Sequence, residues 1–176
     1  MLKVIATAIE ELCDAFERGG YNPTPIIDIG VLVASADGKV DMREREMLLD
    51  VFQTLLDTSL TAEVVDHLVT ASLEVIEAAG AESRAKLVAA ILRDCDAVDA
   101  GVRVALAIAF ASQGLSKAER IVIQRIAEHG GMAPARLAKL TADVRLHADP
   151  DPVSVRMSIA PVSRPGGNGP SSSRSG

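Results

Sequence analysis

A chain of 176 residues and 18.4 kDa holds one domain, or one domain with a tail. Its 18 Lys and Arg against 24 Asp and Glu leave a net charge of −6, which argues against electrostatic capture of nucleic acid or of an anionic membrane surface. Apolar residues make up 48% of the chain and aromatics only 2%, so a core of Ala, Val, Leu and Ile is expected, one that suits close helix packing better than a β-sandwich and excludes disorder throughout.

In residues 2–18, Ile5, Ile9, Leu12 and Phe16 recur at helical spacing, and Gly19-Gly20 ends that helix. Asn22-Pro23-Thr24-Pro25 reads as a non-helical connector. Residues 26–36 are apolar or small except Asp28, the pattern of a central helix packed on most sides, which stops at Asp37-Gly38. Asp41 is placed to cap a third helix, with Glu44 at the capping-box position and Leu48, Val51, Phe52 and Leu55 facing inward. Thr61 caps a fourth, whose face is Val65, Leu68, Val69, Ser72 and Ile76, up to Gly80. A fifth begins near Ser83, carries Leu87, Val88, Ile91 and Leu92, and ends at the acidic Asp94-Cys95-Asp96. Asp99 is a candidate cap for a sixth, almost wholly apolar helix over residues 101–111. Ser116 with Glu119 forms a second capping-box pattern and opens a seventh helix, which runs to Gly130-Gly131. Pro134 suits the first turn of an eighth, with Leu137, Leu140 and Val144 on its apolar face. The expected fold is all-α: a compact bundle of seven to eight helices over residues 1–148.

Residues 149–176 read as a Pro/Gly/Ser-rich disordered tail or linker. Within it Val153, Val155, Met157 and Ile159 alternate with polar residues, whereas 161–176 has the composition of disorder. Residues 150–176 carry three Arg and one Asp, a net +2, which leaves −8 on the remainder. Cys13 and Cys95 lie in helical apolar patterns and read as small core residues in a reducing compartment. The N-terminal apolar run is too short for an export signal, and no stretch reaches the roughly 18 apolar residues of a membrane span. A soluble, cytoplasmic protein is expected.

The chain contains an internal repeat. Residues 31–52 align with 107–127 after a one-residue gap, each copy giving a central helix, a Gly turn, a cap, a Glu three residues later and an amphipathic helix. Asp41 matches Ser116, Glu44 matches Glu119 and Leu48 matches Ile123, while Asp37 becomes Gln113. A pseudo-two-fold between the copies would set the central helices side by side.

Through Ala36-Asp37-Gly38-Lys39-Val40-Asp41 with Glu44, and the echo Gly114-Leu115-Ser116 with Glu119, the chain resembles the TerB family of tellurite-resistance proteins over about residues 26–132. Similar modules are fused to J-domain co-chaperones and other stress proteins. The resemblance implies a helical fold with acidic turns near the two-fold that bind a divalent cation, and it implies no catalytic activity.

Read for chemistry, residues 37–44 have the spacing of the second half of an EF-hand loop, with Asp37, Gly38, Asp41 and Glu44 at positions 5, 6, 9 and 12. Position 1 falls on Val33, which cannot ligate, so a complete loop of that type is excluded. Asp37, Asp41 and Glu44 can still hold a calcium- or magnesium-like ion if Glu119 in the partner turn, or Asp94, Asp96 and Asp99, supply further oxygen. Capping accounts for the same residues except Asp37. Glu63 and His67 lie one helical turn apart without an evident third ligand, and His129 and His147 sit favourably near helix C-termini. No phosphate loop, nucleophile elbow or Ser/His/Asp pattern appears. The expected function is therefore non-enzymatic: a stress or tellurite-resistance module that holds a divalent ion and docks an unidentified protein partner. The alternative is a helical adaptor without metal.

Overall fold

The computed structural model describes residues 2–38, 40, 42–55, 61–112 and 114–148, with backbone alone at 2–5, 43, 44, 47, 50, 53–55, 112 and 148. Among the described residues there are eight helices and no strand: α1 Leu2–Gly19, α2 Thr24–Ala34, α3 Met42–Leu55, α4 Ala62–Ala79, α5 Ala81–Asp94, α6 Val98–Ser112, α7 Lys117–His129 and α8 Pro134–Ala148. The expected tail, 149–176, lies outside the described residues.

The two most apolar helices form the centre, because a helix without a polar face must be covered on all sides. Residues 25–34 of α2 are buried without interruption, as are Val102 and residues 104–109 of α6. α2 and α6 pack on each other; α1 and α8 cover α6, while α4 and α5 cover α2. Gly30 sets the approach of α2 to α3. A Cβ built there would lie 2.6 Å from Phe52 Cζ and 3.0 Å from Leu48 Cδ2, so both side chains seat directly against the α2 backbone. Gly101 does the same for Leu92, whose methyl carbons would lie 2.5–2.6 Å from an added Cβ.

Several helix boundaries differ from the sequence expectation, each for a local reason. α2 begins inside the expected connector, at Thr24, because Pro25 falls in the first turn, where a missing N–H costs nothing. The turn before it is closed by Thr24 N–H donating to Asn22 Oδ1 at 3.0 Å. α5 begins at Ala81, and Gly80, at φ 84°, is the single residue between α4 and α5. The buried face of α5 is Ala85, Val88, Ala89 and Leu92, and Leu87 is turned outward. Asp99 is not the cap of α6: that helix starts at Val98, and Asp99 in its first turn pairs with Arg136 of α8. The expected caps at Thr61 and Ser116 and the proline start of α8 hold, while Asp41 lies outside the described residues. Thr61 Oγ1 accepts from Val64 N–H at 3.4 Å, and Pro134 is the first residue of α8.

The repeat is present as two corresponding units, α2–turn–α3 and α6–turn–α7. Gly38 and Gly114 occupy matching places with φ of 104° and 93°. An added Cβ would meet nothing within 4 Å at either position. Glycine is needed there for backbone conformation, not for space.

Candidate functional site

The proposed ion site begins at the α2–α3 turn. Gly38 N–H donates to Ser35 O at 2.9 Å and closes a tight turn, which places Asp37 on the surface. Asp41 lies outside the described residues, and so does the side chain of Glu44, which stands in the first turn of α3. Glu119 lies in the corresponding first turn of α7 and is only 8% exposed. Its Oε2 accepts from Ser116 N–H at 2.7 Å, and its own N–H donates to Ser116 Oγ at 3.2 Å. That is the complete capping box expected from the sequence. Two of the four candidate ligands, Asp37 and Glu119, are thus placed, one on a surface turn and one buried in a cap. Among the described residues no group of three or more His, Cys, Asp or Glu converges closely enough to hold an ion. Neither Asp94, Asp96 and Asp99 nor Glu63 with His67 forms such a group.

A polar site that the sequence reading did not assemble lies in the core. Asp28 of α2 is 3% exposed and is held from two sides. Ser72 Oγ of α4 donates to Oδ1 at 2.6 Å, and Arg84 Nη2 of α5 donates to Oδ2 at 2.5 Å. The Nε of Arg84 is buried without a hydrogen-bond partner among the described residues. Asp28 was visible as the one charge in an apolar run. Its partner was visible only as an Arg four residues before Val88, on the face that turns inward. The network ties α2, α4 and α5 together through one buried carboxylate, which loses its compensation if either partner is removed.

The surface carries further inter-helix pairs. Arg45 of α3 donates to Asp66 Oδ1 from Nε (2.9 Å) and Nη2 (2.6 Å), and to Thr70 Oγ1 at 2.8 Å, clamping α3 to α4. Arg103 of α6 holds Glu11 of α1 at 2.8 Å. Glu82 of α5 meets His129 Nε2 at 2.9 Å and Arg125 Nε at 3.2 Å, both on α7, and Lys86 Nζ at 3.5 Å. The His129 hydrogen bond, helped by Arg125 and Lys86 and opposed by desolvation, holds the Glu82 carboxyl below its usual range. His129 therefore has a partner across helices as well as its place at a helix C-terminus. His147 Nδ1–H donates to Asp143 O at 2.7 Å. Cys13 and Cys95 are half-buried and unpaired with each other. Burial, with Asp14 and Glu10 beside Cys13 and Asp94 beside Cys95, pushes both thiols up, away from reactive thiolate. No described helix is long and apolar enough to cross a membrane.

No curated protein and no solved structure matches the chain. The family described as tellurite resistance protein TerB matches residues 25–142. That span runs from the first turn of α2 into α8, takes in both helix–Gly turn–helix units, and covers more than half of the sequence. On that match and an all-helical structure containing both units, the chain belongs to the TerB family.

Proposed function

We propose that this TerB-family chain is a non-enzymatic module of a bacterial stress or tellurite-resistance response, that its first acidic turn holds a divalent cation, and that its surface docks a protein partner. The proposed ligands are Asp37, Asp41 and Glu44, with Glu119 contributed by the second turn. The observation that carries the reading is the matched pair of turns. Gly38 and Gly114 take the same left-handed conformation, and the first turn concentrates three carboxylates within eight residues. Oxygen donors of this kind suit a hard ion of the calcium or magnesium type. Glu119 would ligate through Oε1 or through the lone pair that remains on Oε2, which accepts from Ser116 N–H.

That same hydrogen bond favours a second reading, a helical adaptor in which these acids serve only as caps. Amide spectra of the full chain, titrated with calcium and magnesium, separate the two. The metal reading expects saturable shifts of the Gly38 and Gly114 amides together. The adaptor reading expects neither to move before surface carboxylates far from the turns do.

A further inference from the structure

α8 packs its Leu140 and Val144 face on α6 and makes far less contact with α7, so an open groove of about 520 Å³ runs between α7 and α8. Leu115 and Met132 contribute its apolar lining together with Leu137, Ala138 and Ala142 on the α8 wall. Charge is distributed along it in order. The two helices are antiparallel neighbours joined by residues 130–133, so Arg120 and Arg145 stand at the end where α8 finishes, and Glu128 stands towards the end where it begins.

We propose that residues 153–159 of this same chain occupy the groove, running antiparallel to α8. α8 ends at Ala148, beside the Arg145 end, and the sequence Asp149-Pro150-Asp151-Pro152 that follows has the composition of a reversing turn. Val153, Val155, Met157 and Ile159 alternate with Ser154, Arg156 and Ser158, a pattern that gives an extended segment one apolar face. Reach and length agree. Pro134 to Arg145 spans about 17 Å along the helix axis, and five to seven extended residues cover about 17–23 Å. The charge order agrees as well: Asp149 and Asp151 fall at the Arg120 and Arg145 end, and Arg156 falls further along, towards Glu128. The other cleft beside α8 fits this segment less well, because Arg103, Arg136, Lys139 and Asp143 crowd its walls.

The test uses the full chain with labelled methyl groups. Nuclear Overhauser contacts are expected from the Met157 methyl to Leu137, Ala138 and Met132. Ala138→Glu, at an exposed helical position, should abolish them and return the Met157 methyl to its random-coil shift while core resonances stay in place. Met157→Asp, which lies outside the helical body, should release the segment in the same way. A Met157 methyl already at its random-coil shift in the wild type overturns the proposal, as do contacts to Thr7 and Val144 in the other cleft. Contacts seen only between differently labelled molecules also overturn it, since they would place a second copy's segment in the groove.

Discussion

Replacing Arg84 by Met keeps the packing stem of the side chain and removes the only cation that faces Asp28 among the described residues. The Asp28 carboxylate would remain buried with one donor, Ser72 Oγ at 2.6 Å. Removing one member of a buried pair costs about 3–5 kcal/mol. Because the Arg84 side chain is 20% exposed, solvent screening lowers the expected cost to about 2–4 kcal/mol. At about 2–4 °C per kcal/mol, a 3 kcal/mol loss lowers the midpoint by about 6–12 °C. The pair need not be a net gain, since Arg84 Nε is buried without a partner, a state that costs about 1–3 kcal/mol. The double variant Asp28→Leu/Arg84→Met should therefore recover most of the loss. Denaturant unfolding of the wild type, both single variants and the double variant closes the cycle, with a coupling of about 2 kcal/mol expected. A cost below about 1 kcal/mol for Arg84→Met, with coupling near zero, would refute the assignment of this pair as a coupled buried contact between α2 and α5.

Gly30→Ala should destabilise by up to about 2 kcal/mol in denaturant unfolding. Overpacking against Phe52 and Leu48 costs about 1–3 kcal/mol and outweighs the helix-propensity gain of about 1 kcal/mol; a more stable variant would contradict the close approach. Ser116→Ala should cost about 1 kcal/mol, and Thr61→Ala less, since the Thr61 hydrogen bond is long at 3.4 Å. For Glu82 the folded carboxyl is held below its usual range, so its stabilisation is present above the unfolded value and is lost as pH falls through the folded one. Midpoints of wild type and Glu82→Gln should therefore differ at neutral pH and converge in acid; a gap that persists or widens in acid would contradict this.

Helix number and order were legible in the sequence because apolar spacing and turn residues agreed at nearly every step. The face of α5 was misread because Leu87 is large and apolar yet points outward, whereas small Ala85 and Ala89 do the packing. Periodicity weighs side chains by hydrophobicity, and in an alanine-rich core the small residues decide how closely helices approach. Asp99 was misread as a cap because cap chemistry is local, and its actual partner, Arg136, lies 37 residues further on. The same limit concealed the Asp28 network, whose members are 44 and 56 residues apart in the chain. The Ser116–Glu119 box was fully legible, since both partners lie within one turn.

The central claim is a divalent ion held at the first acidic turn, and thermal unfolding of the full chain tests it most directly. Wild type and Asp37→Asn are each unfolded in chelator and then in calcium, magnesium, manganese or zinc, and each is compared with its own chelator midpoint. At an ion concentration about a hundredfold above the dissociation constant, binding stabilises the wild type by about 2.7 kcal/mol, or about 5–11 °C. The account predicts that rise for at least one hard ion and its loss in Asp37→Asn. A wild-type midpoint that no ion moves, or an equal rise in both proteins, would contradict it.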